Sequence, residues 1–365
     1  MRWWSLLFLG VVGTSVSHGY GKLAPYVDTT SASCPEVDLN KDKNSPFNKI
    51  PMYDQDGSNL CYAYAASEMV DYYRIKKGDT SYDLTNPVYA GWATYYKNKT
   101  IKDSSLDDGG RANDVIAALR EEGVCSDKEV KQKLSQLTSS GASEPEILGF
   151  LEVVYKNYGG MFADKNWVKT YGEVSQRMSM DCDRQENLKA TLEKKGLFSV
   201  APTVVLSKTF TGCKSNPVKI PELEMFTVGS DGDMGKAMDK ALKGGMPAEV
   251  NLCSGFFDDP NSRGLRGGIA GMAPRSWITN IKKDCGSHAV VVSGRMNING
   301  SCNYLVRNSY GAFWKPDGAT ACACKTRSGE YKQLCTDPNE VAEYVGCWFD
   351  SKNLLPNVGG VGVFK

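Results

Sequence analysis

Histidine is nearly missing from this chain. Its 365 residues include two, His18 and His288, and the first falls in the apolar start. A metal site built on histidines is excluded, and imidazole chemistry beyond residue 19 has only His288 to use. A charge excess of either sign is missing as well. Lys and Arg number 43 against 42 Asp and Glu, and no run of five like charges occurs. Nucleic acid and anionic membrane are poor partners for such a surface. Beyond the start, no stretch is long and apolar enough to span a bilayer. Phosphate-binding glycine motifs, internal repeats and low-complexity tracts are absent too. A chain without metal or cofactor is expected.

The apolar start is informative. Arg2 precedes an apolar run from Leu6 to Val16, and Ser17 and Gly19 fit the −3 and −1 positions of a cleavage site. Residues 1–19 read as a secretory signal peptide, too short to anchor as a span. Export predicts an extracellular, periplasmic or lysosome-like location. The 12 cysteines then point to disulfides. Cys322-x-Cys324 with Cys335 and Cys347 mimics a zinc site. The second pair lacks Cys-x-x-Cys spacing, so disulfides are expected there as well. Asn98-Lys-Thr and Asn299-Gly-Ser are glycan sequons, meaningful in a host that glycosylates exported proteins.

About 345 residues follow residue 19, enough for two lobes. Residues 20–49 are polar and read as a loosely ordered lead-in or a short pro-segment. Residues 60–77 read as a helix. Ala65, Met69 and Tyr72 form an apolar stripe, and Lys76, Lys77 and Gly78 supply a cationic, glycine-capped end. A second helix follows Gly109-Gly110, with Val115 and Leu119, so 50–126 is a helical lobe. Residues 127–215 are charged and mostly helical in pattern. They carry a capping box at Ser143 and Glu146, then a stripe of Ile147, Leu151, Val154 and Tyr158, and read as an insertion. Residues 216–365 form a β-rich lobe with short runs at 247–252, 289–294, 304–308 and 361–364 between Gly, Asn and Pro. Helices first and strands later predict an α+β fold.

Four residues stand where chemistry needs them. Cys61 opens a helix, whose positive end stabilises a thiolate. His288 begins a strand after the glycine turn of Cys-Gly-Ser-His-Ala-Val-Val-Val (285–292), where it can project into a cleft. Asn308 ends the next strand in Arg-Asn-Ser-Tyr-Gly (307–311) and can hold an imidazole. Gln55 lies six positions before Cys61. Singly, Cys61 fits a buried or bridged cysteine, His288 a satisfied histidine and Asn308 a turn residue; Gln55 says nothing. Together they supply nucleophile, base, orienter and oxyanion donor.

The set resembles the papain-like cysteine peptidases. That family's first motif has Gln six residues before the nucleophilic Cys, then an aromatic and a small residue; here it is Gln55-Asp-Gly-Ser-Asn-Leu-Cys61-Tyr-Ala. Its second is His, then Ala or Gly and a run of valines, here His288-Ala-Val-Val-Val. Its third is Asn-Ser-Trp-Gly, here Asn308-Ser-Tyr-Gly. The Gly-Gly pair opening a helix is matched by Gly109-Gly110, and a Pro-initiated strand by Pro247 to Leu252. The resemblance covers 50–126 and 216–314, about half of the chain. It implies a two-lobe fold, with a helical lobe and an antiparallel β-barrel-like lobe, interrupted by the mostly helical insertion. It implies that Cys61 attacks a peptide carbonyl as thiolate and that His288 protonates the leaving amine and activates water. Asn308 would orient His288, and Gln55 with the Cys61 N–H would bind the oxyanion. Gly109 and Gly110 would lie along the substrate backbone, and Tyr310 would cover the His–Asn pair. Peptide or protein substrates, a proteinaceous inhibitor and a monomeric state follow. Endopeptidase action is expected, although 255–287 is long enough to block one end of a cleft partly.

Departures accompany the match. The family's bridged cysteine pair beside this site is replaced by Ser58 and Asp107, both partners together. Tyr62 and Tyr310 replace tryptophans. The long helical propeptide is absent. With Cys61 as nucleophile, eleven cysteines remain, so one is left over or Cys61 is bridged in some form. One arrangement joins Cys34 to Cys61 as a latency lock. Three rivals stand beside the enzyme: a silent homologue binding peptide in the same cleft, a transglutaminase-like acyl transferase, and a structural protein with every cysteine bridged.

Overall fold

The structure, a computed structural model, describes residues 34–55, 60–79, 83–97, 110–130, 219–227, 234–253, 255–258 and 287–365, with single residues at 132, 187, 190, 194 and 210. The leader, the Asn98 sequon, Gly109 and the capping box and stripe at 143–158 lie outside the described residues.

Helix α1 (Cys61–Lys76) lies at the centre of the helical part. Leu60 occupies its N-cap without a side-chain bond. It ends at Gly78, whose φ of 84° turns the chain out while its N–H meets Ile75 O at 3.0 Å. Arg74 and Lys76 face the negative end of the dipole. The stripe of Ala65, Met69 and Tyr72 is buried, but so are Tyr62, Ala66 and Val70 on other faces. Helices α2 (Pro87–Lys97) and α3 (Ala112–Glu122) pack against α1, and so does the sheet, leaving α1 few wet positions. Pro87 starts α2 where no N–H is needed, and Asn86 Oδ1 accepts from the Tyr89 N–H at 2.9 Å.

Among the described residues nine strands make one antiparallel sheet: β1 (Val37–Asp38), β2 (Leu223–Thr227), β3 (Ala248–Cys253), β4 (Ser287–Ile298), β5 (Ser301–Arg307), β6 (Ala321–Thr326), β7 (Tyr331–Lys332), β8 (Val341–Asp350) and β9 (Val358–Phe364). Their order is β2-β9-β3-β4-β5-β8-β6-β7, with β1 paired to β4. The expected barrel-like lobe is not what these strands form. They run as an open sheet, without closure among the described residues.

Strand β4 is the wall between two cores. Its valine run does not alternate with polar residues because both faces are covered. Ala289 and Val291 pack with the helices α1 to α3. Val290 and Val292 pack on the other face with Met238 of α4 (Met234–Lys243), Tyr304, Phe349 and Val361. Burying one such side chain fully is worth about 1.5–3 kcal/mol, so β4 is fixed from both sides and His288 near its start is fixed with it.

Disulfides join Cys34 to Cys302, Cys322 to Cys347 and Cys324 to Cys335. The last two settle the Cys322–Cys347 cluster as bridges, not a zinc site. The first overturns the latency lock: Cys34 is taken by the start of β5, and Cys61 is free. Residues 34–50 are also less loose than their polarity suggests. Phe47 and Ile50 are buried, and the Phe47 ring packs 4.5 Å from that of Tyr72. Two apolar residues among many polar ones are enough to seat the segment.

Candidate active site

Cys61 is the first residue of α1, and its thiol is buried against the β4 wall. Burial pushes the thiol up to about 11. Backbone N–H groups of Ala289, Tyr62 and Cys61 itself pull the other way, and the charge of Glu249 adds to the rise. The Ala289 contact sets the sulfur beside the residue that follows His288. In this environment a lone thiolate is unstable at neutral pH. It becomes stable when its proton moves to a neighbouring imidazole, because the resulting pair is charged on both sides.

His288 is held by Asn308. His288 Nε2 and Asn308 Oδ1 lie 2.6 Å apart, and both residues are buried. An amide oxygen only accepts, so Nε2 carries the hydrogen and Nδ1 is the ring's acceptor. Among the described residues Asn308 Nδ2 has no hydrogen-bond partner, and the imidazole is the group its amide oxygen serves. Rings enclose the pair. Tyr310 lies 5.0 Å from the imidazole, tilted by 34°, and Phe257 of the short helix α5 (Gly255–Asp258) meets it edge-on at 6.0 Å. Trp314 packs against both rings. Tyr310 is 36% exposed, so this cover is also a wall open to solvent.

Gln55 reaches the same place by backbone pairing. Its N–H donates to Ser309 O at 2.9 Å, and the Gly311 N–H donates to Tyr53 O at 2.9 Å. Gly311 has φ 87°, and a Cβ there would meet Asp54 Oδ2 at 2.9 Å, so the fourth residue of Asn-Ser-Tyr-Gly has to be glycine. The Ser309 hydroxyl donates to Gln55 Oε1 at 2.5 Å. Gly110 is exposed, and a Cβ on it would strike the Tyr62 ring at 2.5 Å. Packing against Tyr62 is therefore a reason for glycine here independent of any substrate.

The structure thus gathers Cys61, His288, Asn308, Gln55 and Tyr310 at one junction of α1 with the sheet, with Gly110 against the ring next to Cys61. Gly109 lies outside the described residues. The sequence reading missed three further groups. Ser309 stood inside a quoted motif without a role. Arg307 reaches back to pair with Glu68 of α1 and donates to Asn40 Oδ1 at 3.2 Å and Val345 O at 3.1 Å. Glu249, in β3, is fully buried, and neither carboxylate oxygen has a hydrogen-bond partner among the described residues; burial pushes it up to about 8. An acidic residue inside Pro-Ala-Glu-Val-Asn-Leu was the available signal for it.

No protein-family model matches this chain, and no curated protein matches it. Solved structures do. Xylellain, a cysteine protease from Xylella fastidiosa, is 16% identical with a TM-score of 0.42, over 94% of this chain and 90% of that one. A chain from a structural study of the mite allergens Blo t 1 and Der p 1 is 11% identical with a TM-score of 0.38, over 92% and 73%. Pepw from Lactobacillus rhamnosis is 12% identical with a TM-score of 0.40, over 90% and 81%. Likenesses this distant assign no role to any residue here.

Proposed function

We propose that this protein is an exported papain-like cysteine peptidase acting on peptide bonds as an endopeptidase. The observation that carries the reading is the buried His288–Asn308 bond, formed beside a free Cys61 at the start of α1. Asn308 Oδ1 holds the Nε2 proton, so Nδ1 takes the proton of Cys61. The thiolate attacks the scissile carbonyl carbon, and its electrons move onto oxygen. That oxyanion is met by the Cys61 N–H and the Gln55 Nε2–H groups, a type of stabilisation worth about 10²- to 10³-fold in rate per donor. Imidazolium then gives its proton to the leaving amine as the C–N bond breaks. Water attacks the thioester with His288 as base, and the acid product leaves. The described disulfides fit an oxidising compartment. Among the described residues no helix is long and apolar enough to cross a membrane.

A second reading, a silent homologue that binds peptide in the same cleft, is favoured by the buried thiol with its raised pKa. An internally quenched peptide library, assayed under mild reductant, separates the two. Cleavage within the peptides by wild type and none by Cys61→Ala is expected; equal, background rates in both would leave only the silent reading.

A further inference from the structure

Three consecutive residues, the last of β5 and the two that follow it, each hold a different part of this junction. Arg307 pairs with Glu68 on the helix that carries Cys61. Asn308 holds His288. Ser309 holds Gln55. The partners are 239, 20 and 254 residues away in the chain. The first two contacts fix a helix and a ring, whereas the third fixes a choice.

A carboxamide presents oxygen on one side and nitrogen on the other, and the two orientations fill nearly the same space. For Gln55 to serve an oxyanion, nitrogen has to face it; the reverse orientation would set one oxygen against another. The Ser309 hydroxyl is buried and donates to Gln55 Oε1, so the oxygen is retained on the Ser309 side. The backbone ladder from the Gln55 N–H to Ser309 O keeps the two side chains in reach. We infer that Ser309 is a positioning residue: it sets the orientation of the Gln55 amide and thereby its power as an oxyanion donor. This rests on the peptidase reading for its effect on rate, but not for its effect on Gln55.

The test has two readouts. In peptide hydrolysis, Ser309→Ala is expected to lower kcat about 10- to 100-fold with KM and the pH profile unchanged. The loss should vanish when Gln55 is already Ala, and Ser309→Thr, which keeps the hydroxyl, should restore most of it. An equal loss in the Gln55 and Gln55→Ala backgrounds, or no loss in either, would overturn the inference. The second readout needs no turnover. With the glutamine side-chain amides ¹⁵N-labelled, Gln55 is expected to give one pair of amide proton signals in wild type and a second or exchange-broadened set in Ser309→Ala. An unchanged single set would overturn the inference as well. If Ser309→Ala does not fold, Ser309→Val against Ser309→Thr makes the same comparison. Wild type that cleaves nothing would defeat the peptidase reading and leave the amide spectrum to decide the role of Ser309.

Discussion

In the proposed mechanism His288 has a role that no other side chain beyond residue 19 can take over, since no second imidazole exists there. Histidine→Ala at 288 is expected to bring turnover to background, a loss of at least about 10²- to 10⁴-fold for the acid–base step alone, measured as initial rates on protein with an unchanged circular dichroism spectrum. Glu249 makes a different demand. Its carboxyl is buried, has no donor among the described residues and is pushed up to about 8 by that burial. Below its ordinary value near 4.5 the folded and unfolded chains both keep that proton, and no stability is lost. Between 4.5 and about 8 the unfolded chain releases it while the fold retains it, so stability falls as pH rises, and the loss levels off above about 8. The full displacement corresponds to on the order of 5 kcal/mol. Asp71, pushed up to about 7 by burial despite bonds from Thr85, acts in the same direction over a lower window. Glu249→Met should therefore raise the unfolding midpoint more at pH 9 than at pH 5. Equal shifts at both values would show that the charge is not what Glu249 contributes.

At the scale of elements, Arg307 ties a strand to a helix and does so in the dry. Its side chain is 1% exposed and that of Glu68 9%, and the guanidinium also caps Asn40 and Val345 and lies 4.4 Å from the Phe47 ring centre. Removing one partner of a buried pair leaves an uncompensated charge, at about 3–5 kcal/mol, whereas replacing both with apolar groups is often neutral. Arg307→Met is thus expected to lose several degrees of thermal midpoint, and adding Glu68→Met should recover part of it. A double variant less stable than the single one would show that Arg307 acts through its other contacts. The same pair explains what could be read in advance. Strands β3, β4, β5 and β9 and helices α1 and α3 were legible because glycine, proline and apolar runs punctuate them. Cys61, His288 and Asn308 could be singled out because each sits at or beside an element's end inside a known pattern, and Gln55 because of its spacing from Cys61. Arg307, Ser309 and Glu249 were not, because their meaning lies in partners brought near only by folding. Helix α2 and strands β6 and β8 were not read in advance, although for α2 Pro87 marks a start and the buried Tyr89, Ala90 and Ala93 share one helical face.

On the scale of the whole molecule, residues 34–55 run across the structure like a strap. Cys34 is bonded to Cys302, a separation of 268 residues. Val37 and Asp38 pair with β4, and the Leu39 N–H donates to Ser293 O at 2.9 Å. Phe47 enters the helical core, and 53–55 pairs with 309–311 before the chain reaches Cys61. The strap ends on Gln55, so whatever holds its far end also helps to hold the proposed oxyanion donor. A pro-segment is released by cutting and leaving, yet this one is fixed by a disulfide, a strand pair and a buried ring. Activation by removal of 20–49 would discard the disulfide, the pairing of 37–38 with β4 and the buried Phe47 ring that seat the chain ahead of Gln55. The protein isolated in active form is accordingly expected to begin before Cys34. Loss of the bridge through Cys34→Ser with Cys302→Ser should lower stability by about 2–5 kcal/mol and reduce kcat more than KM, because a strap released at its Cys34 end holds Gln55 at the other end less firmly. N-terminal sequencing of active protein checks the first point, and denaturant titration with rate measurements the second. An active form beginning after residue 55 would mean that the oxyanion is stabilised without Gln55.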